Sequence, residues 1–469
     1  MKVGIPIEAL KSKLAGIEDA VFKQIETTED EVTLIYFSSL VDKLTLHQMV
    51  IRPLSEGILE NSSEVIVQPN ISELISAITE GSTVVYFPKQ NVYLKVNTFS
   101  APSASITVTD TESTVIGPTN AFTESLETNL SLIKRRIQNL NLKSNNFVIG
   151  TETHTQVTVL YMDNIANKEN LDIVIDKIQN VNHPGFNDSS ILQKLMDNHP
   201  FSPFPQYHET DRPDNAVSAL LDGRIVILMN NSNGVIICPI SFFELFISPE
   251  DYYNRWMTAS LLRSIRFFGF FLTIIMTPTY ISVLTYHPEM LPFDVLLNLQ
   301  ESREKVPFSP LIEVLFMELV IEILREAGSR MPTKIGQTIG IVGGIVIGTA
   351  AVEAHLVSNT LIVLVAISAL LSFLPPNFIM SNTSRFMRYI FIFAAGMFGL
   401  FGQMIAFAWL FHHLLTLTSL NTAYMTPIIP RKSSDLLDSF VRMPAKFLKH
   451  TSGIAKAQSK KSPPVEKEE

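Results

Sequence analysis

The chain is poor in cysteine and in charge. A single cysteine, Cys238, occurs in 469 residues, which excludes an internal disulfide and leaves no cysteine cluster for a metal. Only 17% of the residues are charged, whereas 46% are apolar, and the apolar residues concentrate in the carboxyl-terminal part. The net charge of -9 argues against nucleic acid as the main partner. We therefore expect a soluble part joined to a membrane part.

Several patterns of catalysis and targeting are also missing. The chain has no P-loop, and TIGIVGG lacks the βαβ context of a dinucleotide fingerprint. The motifs G-x-S-x-G and H-E-x-x-H and the protein-kinase set do not occur. No basic start, apolar core and small-residue cleavage site open the sequence, so a secretory signal peptide is not expected. We predict no enzyme, no cofactor and no metal, with the amino-terminal region in the cytosol.

The amino-terminal segment 1–116 is expected to form a first α+β subdomain. The stretch up to about Ile78 is predicted to be mostly helical, including residues 18–24, whose apolar side chains have helical spacing. Two apolar runs follow at 83–87 and 92–96, and they are joined by turn residues. This pattern predicts a β-hairpin.

The segment 117–250 is expected to form a second soluble subdomain, separated from the first by a helix over about 123–140. Its strands are predicted at 146–150, 156–162, 224–229 and 234–239, and its helices near 168–180 and 189–197. These elements predict an α/β unit with a small mixed sheet and flanking helices. The proline-rich run 198–224 is expected to be ordered only if it packs on another part of the protein.

The segment 251–420 is predicted to be an all-α multi-pass transmembrane helical bundle. Residues 251–268 have the pattern of an amphipathic approach helix, with Arg263 and Arg266 just before the hydrocarbon. The first membrane span follows directly, and Pro278 is expected to kink it. The fold class is thus an α+β two-subdomain soluble region followed by a transmembrane helical bundle.

The end of this bundle leaves the topology open. A short apolar span covers 360–374, and 386–415 is long enough for one helix of about 45 Å. A basic tail, 421–469, is expected to be disordered and to favour the cytosol. Arg385 and Arg388 favour the cytosol as well. One straight helix between them cannot satisfy both demands, so the number of passes stays open between four and six.

Residues 311–327 are apolar but carry acidic side chains on one helical face. Glu318, Glu322 and Glu326 lie four residues apart, which is expensive on a helix exposed to lipid. In one interpretation the helix is interfacial or re-entrant, and its acids face water or pair with Arg325 and Arg330. In the other, the acids form a ring near a cation path.

The segment from 336 to 356 has almost no charge and repeats glycine every four residues. The predicted helix-packing stripe consists of Gly336, Gly340, Gly344 and Gly348. The opposite, candidate pore-lining face consists of Thr338, Ile341, Ile345, Thr349 and Val352. The helix is either a tightly packed structural helix or a pore wall in which Ile345 forms a dry constriction.

Five runs of sequence carry a resemblance to a known family. They are KLMDNHPFSPFPQ, DRPDNAVSALLDGRIVIL, SPEDYYNRWMTASLLRSIRF, PLIEVLFMELVIEILREAGSRMP and GQTIGIVGGIVIGTAAVEAHLVSN. In this order they resemble the A subunit of the bacterial spore germinant receptors, the GerA family, from about residue 117 to the last span. The first hundred residues match only in general plan, so a ligand preference is not carried over.

The resemblance implies a subunit of a nutrient receptor in the spore inner membrane, embedded in lipid. Its partners would be a permease-like B subunit and a lipoprotein C subunit. Copies of the chain would form a homo-oligomeric ring, a pentamer, that acts as a ligand-gated channel for monovalent cations and triggers germination. In this picture the glycine helix is the pore wall. Glu353 then lies at a pore mouth or caps contacts with His355.

Two other functions stay open. The chain can be a non-conducting membrane scaffold, or a signal-coupling or amplifying subunit of the germination machinery, which predicts assembly without ion flux. A secondary transporter is disfavoured because the hydrophobic segments show no inverted repeats and no matched pair of broken spans.

Overall fold

The structure is a computed structural model. It describes residues 7–26, 31–56, 64–66, 71–89, 92–99, 109, 112, 114, 116–330, 344, 346, 348–430, 438–439, 441–444 and 453–456. Within these residues the chain forms two five-stranded sheets followed by a region of long apolar helices.

The first subdomain is an antiparallel sheet covered by helices on both faces. Its elements are α1 Ile7–Leu14, β1 Ala20–Glu26, β2 Glu31–Phe37, α2 Lys43–Leu46, a π-helical turn His47–Ile51, α3 Arg52–Glu56, β3 Glu64–Ile66, α4 Ile71–Thr79, β4 Ser82–Phe87 and β5 Val92–Asn97. The strand order is β1-β2-β4-β5-β3, and the β4–β5 hairpin is confirmed. The helix expected at 18–24 is wrong, because β1 pairs with β2 along its whole length.

The second subdomain repeats this plan. Its elements are α5 Leu126–Lys134, β6 Leu142–Ile149, β7 Thr155–Met162, α6 Lys168–Asn180, α7 Ser189–Met196, β8 His208–Thr210, α8 Pro213–Leu221, β9 Ile225–Met229 and β10 Val235–Cys238. The strand order is β6-β7-β9-β10-β8. The expected mixed sheet is wrong, since every pairing among these strands is antiparallel. The reason is that the long connection returns the chain to the end of the sheet where β7 finishes, with Leu160 opposite Val226.

The proline-rich run between α7 and β9 is ordered because it packs. It contains β8 and α8, and Phe204 and Tyr207 in it are 1% exposed. Pro213 occupies the first turn of α8, a position where proline needs no amide hydrogen. The two subdomains are joined by buried polar contacts, among them the ion pair between Lys134 and Asp19.

The described part of the remaining chain is mainly helical, with a short antiparallel ribbon of Thr418–Ser419 and Thr422–Ala423 after the last long helix. Its elements are a 3-10 helix Phe242–Phe246, α9 Glu250–Tyr253, α10 Trp256–Thr285, a 3-10 turn Pro288–Met290, α11 Phe293–Arg303, α12 Pro310–Ser329, α13 at residues 344, 346 and 348–353, α14 Asn359–Leu371 and α15 Phe378–Thr416. Two of these, α10 and α15, are long and apolar enough to cross a membrane, and α14 is a shorter apolar helix. The expected approach helix and the expected first membrane span are thus parts of one helix, α10, and Pro278 lies inside it.

Helix α15 folds back on itself at Gly399. A straight helix would separate Phe391 and Phe407 by about 24 Å, yet their ring centroids lie 4.8 Å apart. Gly399 has φ 62° and ψ -141°, which glycine adopts readily because it has no Cβ. Tyr286 braces the turn by donating to the carbonyl of Gly396 at 2.7 Å. The expected single helix over 386–415 is therefore wrong, and α15 is a hairpin of two antiparallel arms.

The hairpin brings both ends of α15 to the soluble region. Ser202 Oγ lies 2.9 Å from His413 Nε2 on the second arm, and Thr383 on the first arm donates to the carbonyl of Pro203 at 2.5 Å. The basic residues of the first arm and the chain after the second arm therefore lie at the same end of the helices. The tail and the arginines Arg385 and Arg388 can therefore lie on the same side, as their charges favour.

The other helices alternate in direction. Tyr280 and Thr273 of α10 meet Ser358 and Ser368 at opposite ends of α14, so α10 and α14 are antiparallel. Helix α12 runs parallel to α14, because its first turn reaches Ser358 at the start of α14 and its last turns reach Ser372 at the end of α14. The helices α10, α12, α13, α14 and the two arms thus form six segments.

The described part of the tail after residue 420 is packed, contrary to the expected disorder. Tyr424 is fully buried, and Ile454 and Ala455 are 5% and 0% exposed. Asn170 on α6 donates to the carbonyl of Ala455 at 3.3 Å. The burial of these apolar side chains explains why this part of the tail is ordered, although the tail as a whole is basic.

Candidate functional site in the helical region

A cluster of buried charges joins α12 to α15. Arg388 Nη2 lies 2.8 Å from Glu318 Oε2, and both side chains are 0% exposed. One turn away, Arg385 Nη1 lies 2.7 Å from Glu322 Oε2. Spacings of four residues on α12 and three on α15 place each pair of side chains on one helical face. The two faces meet in register.

The same cluster reaches α14. Arg388 donates to Ser368 Oγ at 2.9 Å, and Arg325 of α12 donates to Ser372 Oγ at 3.0 Å. Arg325 also lies over the ring of Phe373, 4.3 Å from its centroid, in a cation–π arrangement. Charged groups away from water must be paired to be tolerated, so the cluster fixes the relative positions of three helices.

The four acidic candidates have different surroundings. Glu318 and Glu322 are neutralised by arginines of the same chain, whereas Glu326 is exposed and pairs with Arg330 at 2.5 Å. Glu353 is exposed at the end of α13. The pairing interpretation named Arg325 and Arg330, and Glu326 does pair with Arg330. The short ion pairs of Glu318 and Glu322 are instead with Arg388 and Arg385 of α15. A ring of acids facing a cation path stays a prediction.

The glycine helix is described only in part. Gly336, Gly340, Thr338, Ile341 and Ile345 lie outside the described residues, so their expected roles stay predictions.

The described residues of this helix show which face the chain covers. Apart from the helix's own backbone and the chain neighbours of each glycine, no atom of the described residues lies within 4 Å of the position that a Cβ would take at Gly344 and Gly348, so the described part of one chain leaves this face open. Thr349 is exposed. Val352, expected on the pore face, is half-buried against the apolar cluster around Tyr280 and Leu361.

A second ionic junction lies where the soluble region meets α10. Asp251 is fully buried and accepts from Arg266 Nη1 at 2.9 Å on both carboxylate oxygens and from Arg263 Nε at 3.3 Å. The tail closes the junction, since Asp438 Oδ1 lies 3.0 Å from Arg263 Nη1 and Arg442 donates to the carbonyl of Asn254 at 3.2 Å. Arg263 and Arg266 are thus ion-paired inside the protein.

A cleft of roughly 240 Å³ lies beside this junction, lined by residues that include His208, Arg224 and Tyr252. Burial raises the pKa of Glu112, which lies 3.7 Å from His208, to about 7. Burial, together with the charge of Arg224, lowers the pKa of His208 to about 4. Burial therefore favours the uncharged form of both groups: His208 is neutral near neutral pH, and Glu112 is protonated below it. In the part of the chain that is described, no group of three or more His, Cys, Asp and Glu side chains forms a metal site.

Comparison with known proteins identifies the family. A family model described as "Bacillus/Clostridium GerA spore germination protein" matches residues 8–453. The chain belongs to the GerA family. Spore germination protein GerIA of Bacillus cereus is 37% identical to this GerA-family chain over 455 residues, covering 93% of this chain and 67% of that protein. Spore germination protein GerQA of Bacillus cereus is 36% identical over 448 residues, covering 93% and 90%.

A solved structure is also similar to this GerA-family chain. It is the crystal structure of the N-terminal domain of the A subunit of the Bacillus megaterium spore germinant receptor GerK3, with 23% identity and a TM-score of 0.39, covering 50% of this chain and 94% of that one. The family resemblance expected from the five runs is confirmed by the family match, and it supports a role in spore germination.

The roles of some residues that organise this GerA-family chain were not predicted from the sequence. Asp251 looks like a turn former, but it is the carboxylate that holds two arginines. Glu313 is fully buried, accepting from Ser358 N at 2.6 Å and from Arg303 Nε at 3.2 Å. A buried acid inside an apolar stretch is the one signal that pointed to such sites, and the partner of each acid is distant in sequence.

Proposed function

We propose that this GerA-family chain is the A subunit of a nutrient-sensing germination receptor in the spore inner membrane. Copies of the chain assemble into a ring, a pentamer, that forms a ligand-gated channel for monovalent cations. A permease-like B subunit and a lipoprotein C subunit are its partners. The observation that carries the proposal is the face at Gly344 and Gly348 that the described part of the chain leaves open. A glycine stripe packs closely on another helix, and a second copy of the chain can supply one.

The direction of the helices supports an orientation in the membrane. Six alternating segments return the chain to the side on which it started, so the soluble region and the tail share one side. Arg263, Arg266, Arg325, Arg385 and Arg388 lie toward that same end of the segments. Because cytoplasmic ends carry the excess of arginine and lysine, this end faces the cytosol, which in a spore is the core.

Gating is then a shift between two arrangements of the ring. Nutrient binding to a partner subunit opens the channel only to the extent that the nutrient binds the open arrangement more tightly. In the closed ring the side chains of Ile345 dewet the pore. Rotation of the helices brings Thr349 or a glycine into their place and admits water.

The experiment is ion flux through liposomes that contain the purified chain, with subunits counted in the same preparation. Ile345→Ala is compared with Val346→Ala, a matched truncation at an exposed neighbouring position. We expect a ring of several subunits and a higher potassium flux for Ile345→Ala, with Val346→Ala equal to the wild type. Equal flux in all three chains would refute the assignment of Ile345 to the pore.

A second candidate function is a non-conducting scaffold or coupling subunit of the germination machinery. It is favoured by the neutralisation of Glu318 and Glu322 within one chain, which withdraws these two acids from a cation path. It predicts an assembled ring without flux in any of the three chains.

A further inference from the structure

Phe201 is fully exposed to solvent within one chain. Its side chain is 101% exposed, the highest value for a large apolar side chain among the described residues. It lies in the loop between α7 and β8, flanked by Pro200 and, two residues later, Pro203. Exposed single apolar residues are common on protein surfaces, so the exposure gains meaning only from the way the loop is built and placed.

The loop around Phe201 is pinned at both ends. Gln206 Oε1 accepts from the backbone N–H groups of Asn198 at 2.8 Å and His199 at 3.0 Å, and Gln206 Nε2 donates to the carbonyl of His199 at 2.9 Å. Tyr424 donates to the carbonyl of Pro205 at 2.6 Å. Because the backbone groups on both sides are bonded, the outward position of Phe201 is set by the fold.

The loop also has a defined level along the apolar helices. Ser202 contacts His413 near the end of the second arm of α15, and Pro203 contacts Thr383 near the start of the first arm. Trp409 stacks on His413, with ring centroids 5.7 Å apart and 9° between the planes. Aromatic side chains at the ends of apolar helices are typical of the membrane–water interface.

We propose that Phe201 inserts into the boundary between headgroups and acyl chains on the core side of the membrane. It thereby anchors the second soluble subdomain to the bilayer in which α10 and α15 lie. The partner is lipid, because the loop contacts the two arms of α15 near their ends, at the level of Trp409. This inference rests on the membrane placement in the proposed function.

The test uses tryptophan fluorescence of the full chain in phosphatidylethanolamine–phosphatidylglycerol vesicles, with and without brominated acyl chains. Both native tryptophans, Trp256 and Trp409, are replaced by phenylalanine. One reporter is then added as Phe201→Trp, as Phe393→Trp on the first arm of α15, or as Val148→Trp on β6, at the sheet edge opposite β8.

We expect brominated lipid to quench the Phe201→Trp reporter about twofold or more beyond the Val148→Trp reporter, since only groups that reach the acyl boundary contact the quencher. Equal quenching of these two reporters, with strong quenching at position 393, would overturn the anchor and leave the membrane placement intact. Absence of quenching at position 393 would overturn the membrane placement, and the anchor with it.

Discussion

Removal of one partner from the buried pair between α12 and α15 is a sharp test of how these helices are held. Arg388→Met keeps most of the side-chain volume and leaves Glu318 without its cation in a place where both side chains are 0% exposed. A buried charge that loses its partner destabilises a protein by about 3–5 kcal/mol. Arg388→Met is therefore expected to be severely destabilising.

Two matched variants separate this effect from the loss of any ion pair. Arg330→Met breaks the pair with Glu326, whose side chains are 78% and 65% exposed, and exposed pairs are worth about 0–1 kcal/mol. The double variant Arg388→Met, Glu318→Met removes both buried charges. It is expected to recover most of the loss, because apolar replacement of a complete buried pair is neutral or stabilising by about 1–4 kcal/mol.

The measurement is the unfolding of the purified chain in mixed SDS micelles, followed by tryptophan fluorescence. We expect the midpoint to fall strongly for Arg388→Met and to stay near the wild-type value for Arg330→Met and for the double variant. The reasoning fails if Arg388→Met unfolds at the same SDS fraction as Arg330→Met, or if the double variant is as unstable as the single one.

Three further outcomes are expected. Gly399→Ala should destabilise the hairpin of α15 by about 1–3 kcal/mol, because the dihedral angles of residue 399 suit only glycine. Gly328→Ala is the control and should not destabilise the protein, since no atom of the described residues lies near the position of its Cβ. Unfolding of both variants in SDS tests this difference. Arg442→Ala should speed amide hydrogen exchange at the start of α10, and unchanged exchange would contradict the role of the tail. Folding raises the pKa of Glu112 from 4.5 to about 7, so the folded state binds this proton more tightly than the unfolded state. The free energy of unfolding contributed by Glu112 therefore falls as pH rises between these two values. Glu112→Gln should abolish that fall, as measured by urea titrations at several pH values.

Elements with a strong local pattern were predictable from the sequence. The strand expected at 156–162 is confirmed as β7, and the helix near 168–180 as α6, because each combines a buried apolar face with a clear boundary. Asn167 caps α6 by accepting from the N–H of Asn170. Strand β8 was missed because its three residues, His208–Thr210, carry no apolar alternation and are held in place by β10.

The hairpin of α15 and the buried ion pairs could not be predicted from local sequence patterns, for a different reason. The glycines at 396, 399 and 402 recur every three residues inside an apolar run. The turn is shown only by the dihedral angles of Gly399 and by the contact between Phe391 and Phe407. Likewise, Glu318 and Arg388 are 70 positions apart in the sequence. The cost of a buried charge predicts that a partner exists, but tertiary packing selects which residue it is.

The placement of the polar contacts bears on how the soluble region can influence the glycine helix. Asp251 ties the soluble side to α10, and the tail ties itself to the same point. At the opposite end of the helices, Glu313 joins α12 to the start of α14, immediately after α13. Coupling between distant sites requires an element with two arrangements that both sites bias. Ionic contacts hold the helices around α13, while the described part of the chain leaves Gly344 and Gly348 open. In the proposed gating we therefore expect α13 to move and the charged clusters to stay intact.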